Sequence, residues 1–412
     1  MAVRIRYMGN KHTLAPHVAE LVAAQRSTGP LIDLFCGMCS IGSAVAATGR
    51  AVWGNDIQAY ASLAARCHLS SREAPMRSDG IAHLLADPFC SNLRALSRRF
   101  AKALAVERDA LASASRVKYQ AAYESWLHAG NNKRVAGEVA RLAAGPDTFP
   151  YRLCALTFAW GYFGLRQAIE LDSIRYAIDT RRTDGGLSSD EADWALLGLL
   201  EAASVCSSGP GHFAQYLRGV NDESVSRICR QRKRSVWGLF LDAADAQRPF
   251  GSTRWRSRNR VLQTDALEIW PYLDDLKVRN AVIYADPPYS KDHYSRYYHV
   301  LETLVRYDYP SASGIGRYRP DRFQTPFSLR TAVEPAFESL FDAIAARGFT
   351  LVLSYPSNGL LSRVAGESLD AILRHTFDRV RLAFTATVPH STLGARHGSA
   401  HSDAKELIWI AS

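Results

Sequence analysis

Long apolar runs are missing from this chain. No stretch approaches the roughly 18 to 20 unbroken apolar residues of a membrane span, and the opening MAVRIRYMGNKHTLAPH has no signal-peptide core. Cysteine is scarce and odd in number, seven scattered residues in 412. That argues against a disulfide framework and for reduced thiols in a cytoplasm. Cys36-Gly-Met-Cys39 is formally a C-x-x-C pair, but no second pair follows and it falls inside a glycine-bearing turn, so no metal is assigned to it. Internal repeats and long low-complexity segments are also absent, which excludes repeat architectures. Acidic charge is in deficit, 40 carboxylates against 50 Lys and Arg, a surplus of +10 that suits a polyanionic partner.

What is present is an ordinary apolar content of 47% in a chain longer than one hydrophobic core usually serves. A large domain and a second lobe are therefore expected. The first strand signal, Leu31 to Phe35, is continuously apolar except for Asp33, as befits a strand buried on both faces. A turn flanked by Gly37 and Gly42 follows, then a small-residue helix and a second strand, Ala51 to Asn55, ending in Asp56. An acid about twenty residues past a glycine turn is where open α/β folds grip a ribose through its hydroxyls. The alternative is that Asp56 only caps the helix that follows.

From about residue 70 to 259 strand signals give way to helical ones, and the stretch closes in a basic segment. Ten cations from Arg227 to Arg260, including Arg232, Lys233 and Arg234, alternate there with Trp237 and Trp255. Phosphate contacts combined with stacking on bases would use such a mixture, and so would a solvated arginine-rich face. Strands resume with RVLQTDAL, expected to end at Asp265, then NAVIYADPPY and GFTLVLSYPSNG, with RVRLAFTATVP and KELIWIAS as a closing antiparallel pair. The glycine- and histidine-rich connection between the last two is expected to be mobile, and His390, His397 and His401 in it are left unassigned. The expected fold is α/β, a mixed sheet formed by residues 1–69 and 260–412 and interrupted by an inserted helical region, 70–259.

The stretch VIYADPPYSKDHY carries the chemistry. Asp286 ends an apolar strand, where ligands of open α/β sheets collect. Pro287 and Pro288 remove two amide donors and hold the chain extended. A carboxylate and a backbone oxygen with no donor nearby suit an –NH2 group held by both hydrogens. Tyr289 adds a flat face for a ring. Two acceptors pulling on an aromatic amine free its delocalised lone pair, so a sulfonium methyl held in line could be attacked without a strong base.

Here the chain resembles the DPPY-type adenine-specific DNA methyltransferases of the DNA adenine methylase family. YMGNK is similar to their N-terminal motif, DLFCGMCSIG to the glycine turn, ND to the ribose acid and ADPPY to the catalytic tetrapeptide; GYFGLRQAIELDSIRYAID and GHFAQYL also resemble segments between these motifs. The resemblance implies an S-adenosylmethionine-dependent methyltransferase fold of Rossmann type with an inserted target-recognition lobe. It implies methylation of N6 of a flipped adenine in double-stranded DNA, with S-adenosyl-L-methionine as cofactor. Tyr7 and Lys11 would contact that cofactor, the lysine near its carboxylate. Asp33, Phe35, Gly37, Asp56, Asp265 and Asp286 would complete its site, and Pro287, Pro288 and Tyr289 would act with Asp286 on the target base. One departure stands out: relatives usually carry glycine where this chain has Cys39.

A target base must leave the duplex, at a cost of a few kcal/mol that stacking on Tyr289 would partly offset. Lys291, His293, Tyr294 and Arg296 follow directly as candidates for the flipped nucleotide's phosphates. The long loop 310–328 carries Arg317, Arg319 and Arg322 and reads as a further DNA contact, disorder being its alternative. The acceptor array leaves open a cytosine amine or RNA as target, and a DNA-binding subunit without catalysis is a reading from another class. A cognate restriction endonuclease is a further partner in the first reading, and a monomer is expected.

Overall fold

The computed structural model describes residues 5, 11–113, 115–130, 133–291, 293–391 and 401–412. Tyr7 and His397 lie outside them, as does most of the connection between the last two strands. The chain divides into two compact units. One comprises Gly9–Arg72, Phe250–Tyr294 and Phe323–Ser412, and the other is built mainly from Glu73–Pro249 and Ser295–Arg322. The inserted unit thus draws on more than one stretch of chain. Residues 295–322, assigned from the sequence to the catalytic region, pack with the helices, whereas 250–259 pack with the sheet. Trp255 explains the second difference: its ring is buried in the sheet core and its indole N–H donates to the Arg50 carbonyl at 2.6 Å.

The first unit holds a seven-stranded mixed sheet: β1 (Leu31–Asp33), β2 (Val52–Asn55), β3 (Arg260–Leu262), β4 (Val282–Ala285), β5 (Thr350–Pro356), β6 (Val380–Ser391) and β7 (His401–Ala411). Their order is β3-β2-β1-β4-β5-β7-β6. The first five run parallel, and β7 is antiparallel to both β5 and β6, the closing pair read from the sequence. Strand order reverses between β1 and β4, so a crevice is expected beyond their carboxyl ends. The period of two sorts side chains between the faces. Leu31, Val282, Val352, Ile408 and Ile410 enter one core, and Ile32, Ile283, Leu351, Leu353 and Trp409 enter the other.

β3 is shorter than expected, ending at Leu262 rather than Asp265. Asn55 is the reason: its amide donates to the carbonyls of Leu34 and Thr264, both at 3.1 Å, and accepts the Thr264 N–H at 3.2 Å. One side chain thus takes over the hydrogen bonds that a longer ladder would have made. Asp265 then accepts the Leu267 N–H at 2.9 Å and turns the chain.

The second unit is helical. Its long helices include Ser78–Arg99, Ala101–Ser113, Leu165–Thr183 and Ser189–Cys206. Buried acids complete several helix ends. Glu107 accepts the N–H groups of Leu165 and Arg166 at 2.5 and 2.9 Å, and Glu170 those of Val236 and Trp237 at 2.6 and 3.2 Å. Such acids satisfy orphan donors and favour the positive end of the helix dipole. Among the described residues no helix is long and apolar enough to cross a membrane.

Candidate active site

The carboxyl ends of β1, β2 and β4 bring together Asp33, Phe35, Gly37, Asp56 and Asp286. Gly37 has φ 47° and Cys39 φ 60°, so the turn after β1 places two residues in the left-handed region. Glycine accepts that conformation freely, whereas a cysteine pays roughly 1–2 kcal/mol for it. This is the physical content of the departure at Cys39, whose side chain is fully buried at the start of helix Ser40–Ala46.

Asp56 is buried. Its two oxygens accept the N–H of Gln58 at 2.9 Å and that of Gly37 at 3.1 Å. Burial pushes its carboxyl up to about 6 against those two donors. Each oxygen spends one lone pair on the backbone, so the carboxylate can still accept two hydroxyls of a vicinal diol. Asp33 is more deeply buried and accepts the Phe35 N–H at 3.3 Å. Burial, joined by the nearby charges of Asp286 and Asp56, raises its pKa above the ordinary carboxylate value. Phe35 is half-buried, its ring edge-on to Phe327 at 5.5 Å.

Asp286 leaves β4 into the two prolines. The expected absence of donors around it is corrected by the structure: the Lys11 ammonium stands 3.2 Å from Asp286 Oδ1 and 5.7 Å from the centre of the Tyr289 ring. Lys11 also pairs with Glu406 of β7, and Ser354 Oγ of β5 donates to the same Glu406 oxygen at 2.8 Å. Burial opposes the charge of Lys11, but the two carboxylates more than compensate and hold its pKa above the ordinary value. The Tyr289 carbonyl accepts the Leu360 N–H at 2.8 Å, so that oxygen serves the next helix. The Tyr289 ring is half-buried against the sheet core.

Glu406 escaped the sequence reading. It lies two residues before Ile408 and four before Ile410, on the same strand face, and Ser354 stands two beyond Val352 on the facing strand. A carboxylate in register with an apolar face requires a buried partner, and that is the signal which could have found it.

The expected DNA contacts separate into exposed and buried groups. In the sheet unit Lys291 is exposed and His293 and Tyr294 are half-buried. In the helical unit Lys233 and Arg234 are exposed at the end of helix Asp222–Arg232. Arg296 is exposed and lies over the Tyr318 ring at 5.3 Å, with Arg322 over the same ring at 4.8 Å, and Arg317 is half-exposed. Two assignments are corrected. Arg232 is 1% exposed, donates to the Trp160 carbonyl at 2.8 Å and lies over the rings of Trp160 and Tyr119. Arg319 is 3% exposed and forks onto Asp308 and Asp321 at 2.7–3.0 Å. Neither can reach a phosphate without abandoning buried partners. Trp255 is likewise in the core, and Trp237 stacks on Phe89 at 4.3 Å.

Arg234 also lines a pocket of about 150 Å³ together with Arg227, Gln231, His212, Ser204 and Ser207. None of the described residues lining it is acidic. Arg227 is exposed, and His212 is held below the usual imidazole range by burial and by Arg296. Two guanidinium groups and several hydrogen-bond donors are suited to an anion of phosphate type. None of the seven cysteines is joined in a disulfide, and no group of three or more metal-ligating side chains occurs among the described residues.

Residues 7–91 and 271–350 match the family described as D12 class N6 adenine-specific DNA methyltransferase. Those segments contain the glycine turn, Asp56 and the Asp286 tetrapeptide. The chain is similar to the type II methyltransferase M.FokI of Planomicrobium okeanokoites, 26% identical over 60% of this chain and 34% of the relative. It is also similar to the modification methylase StsI of Streptococcus sanguinis, 22% identical over 60% of this chain and 34% of that protein. The type II methyltransferase M.CviAII of Paramecium bursaria Chlorella virus 1 is 26% identical over 49% of this chain and 53% of its own length. The chain thus spans about a third of the length of the first two relatives it matches.

Proposed function

We propose that this chain, which matches the D12 class of N6 adenine-specific DNA methyltransferases over residues 7–91 and 271–350, methylates N6 of an adenine flipped out of double-stranded DNA, with S-adenosylmethionine as donor. The observation that carries the reading is Asp286 at the carboxyl end of β4, followed by two residues without amide hydrogens and by a half-buried aromatic ring. S-adenosylmethionine, when bound, supplies a methyl carbon activated by its sulfonium. Asp286 and a neighbouring backbone oxygen draw on the two amine hydrogens and direct the nitrogen lone pair at that carbon, while Tyr289 supports the flipped ring. As the new N–C bond formed and the donor's S–C bond broke, leaving a neutral thioether, the amine proton would pass by way of Asp286 to solvent.

The donor set at the ends of β1 and β2 fits the donor molecule. Asp56 would take the ribose hydroxyls, Gly37 would allow close backbone approach, and Phe35 would pack against the adenosine. Asp33 would line the same site, and Asp265 would stand near the adenine. The roles of Tyr7 and Lys11 toward the cofactor are part of the same proposal. Radiolabel transfer from the donor to adenine-containing duplexes tests the whole reading, and its complete absence on every duplex overturns it.

Donor binding is expected to depend on pH through Asp56. Its carboxyl titrates at about 6, and only the ionised form accepts both hydroxyls. The dissociation constant should therefore rise as pH falls through 6, approaching about tenfold per pH unit. Asp56→Asn should flatten that profile in calorimetric titrations.

DNA would meet Lys291, His293 and Tyr294 on the sheet unit, and Lys233, Arg234, Arg296 and Arg317 on the helical unit. The pocket of Arg227 and Arg234 would hold a backbone phosphate. Arg227→Ala should weaken binding equally on all sequences and reduce the slope of log affinity against log salt by about 1, read by fluorescence anisotropy. A cognate restriction endonuclease as partner, a cytoplasmic location and a monomeric state are parts of the same proposal.

A further inference from the structure

The group around Asp286 contains one cation and two anions. With Lys11 protonated and Asp286 and Glu406 ionised, the three side chains carry one net negative charge. Lys11 and Asp286 alone would carry none. Glu406 is fully buried on β7, which β5 separates from β4, and a buried carboxylate there costs several kcal/mol of desolvation unless it is paired. Ser354 donates to it at 2.8 Å and holds its head group. A hydrophobic side chain would pack that face of β7 as well, beside Ile408 and Ile410.

We propose that Glu406 sets the charge of the methyl-transfer corner: by sharing Lys11 with Asp286 it leaves one net negative charge, matched to a ligand with a single positive charge at its reactive atom. The inference rests on the methyl-donor reading above. Glu406 touches neither donor nor base and acts through Lys11, so it is a positioning residue. Its effect is a field, felt by the sulfonium of S-adenosylmethionine and not by the neutral thioether of S-adenosylhomocysteine. The ratio of affinities for these two ligands isolates it.

Calorimetric titration of the full chain with both compounds is the test. Glu406→Gln should shift the ratio of the two dissociation constants about tenfold against the sulfonium, an electrostatic effect of ordinary size for one buried charge, while affinity for the thioether changes little. Retained thioether binding shows that the pocket is still folded. Glu406→Asp, which keeps the charge, should keep the wild-type ratio. The double variant Lys11→Met with Glu406→Gln restores one net negative charge and should restore the ratio too. An unchanged ratio in Glu406→Gln overturns the inference, as does a double variant that behaves like the single one or an Asp variant that behaves like Gln. Wild-type protein that binds neither compound overturns the methyl-donor reading itself, and the inference with it.

Discussion

Asp286→Ala is expected to lower methyl transfer to duplex adenine by about 10²–10³-fold, the usual consequence of removing one preorganised polar group aimed at a transition state. The prolines at 287 and 288 keep the surrounding backbone extended whatever side chain precedes them, so the corner should keep its shape. Lys11 would fall back on Glu406 alone, and the two would neutralise each other. The loss should therefore appear in single-turnover rate constants, with binding of DNA nearly unchanged. Asp286→Asn makes the comparison sharper, because its amide presents one acceptor and one donor where the carboxylate presents two acceptors. An Asp286→Ala protein that retains more than about a tenth of the wild-type single-turnover rate removes this carboxylate from the chemistry.

The largest expected effect on stability lies in the helical unit, at Asp172. This residue is fully buried in helix Leu165–Thr183. It accepts the N–H of Cys154 at 2.8 Å, the N–H of Ala155 at 2.9 Å and the Tyr307 hydroxyl at 2.6 Å. Three segments thus meet on one carboxylate, Tyr307 lying 135 residues from Asp172 in sequence. Asp172→Ala leaves those donors buried without an acceptor, at a cost of about 3 kcal/mol or more. For a unit of this size that lowers the unfolding midpoint by roughly 10 °C, measurable by calorimetry. Burial also pushes the Asp172 carboxyl up to about 6 from 3.8, against the three donors that pull it down. A folded-state pKa above the unfolded one means that the native protein binds the proton more tightly. The stability tied to that proton is present below about pH 3.8 and is lost as pH rises through 6. Asp172→Asn, which cannot titrate, should lack that component of the pH dependence.

Much of the sheet was legible because its signals are local. Continuous apolar runs marked β1 and β4, RVRLAFTATVP and KELIWIAS read as the closing pair β6 and β7, and a glycine turn marked the bend after β1. The end of β3 was not legible, because Asn55, more than 200 residues away in sequence, supplies the bonds that stop the ladder. Arginine exposure failed for the same kind of reason. Arg232, Lys233 and Arg234 are consecutive and look equivalent in sequence, yet their positions around the end of a helix send the first onto Trp160 and Tyr119 and leave the other two in solvent. Arg319 sits in the loop that reads as DNA-facing, but Asp308 and Asp321 close on it.

The chemical character of the corner was therefore determined by sequence alone. Proline removes amide hydrogens wherever it stands, an apolar run ending in aspartate places a carboxylate at a strand's end, and neither effect needs a distant partner. Its charge was decided only in three dimensions, because Lys11 and Glu406 are 395 residues apart and come together only when β7 enters the sheet beside β5. Ion pairing in a dry interior depends on distance and burial, and those are properties of the packed chain.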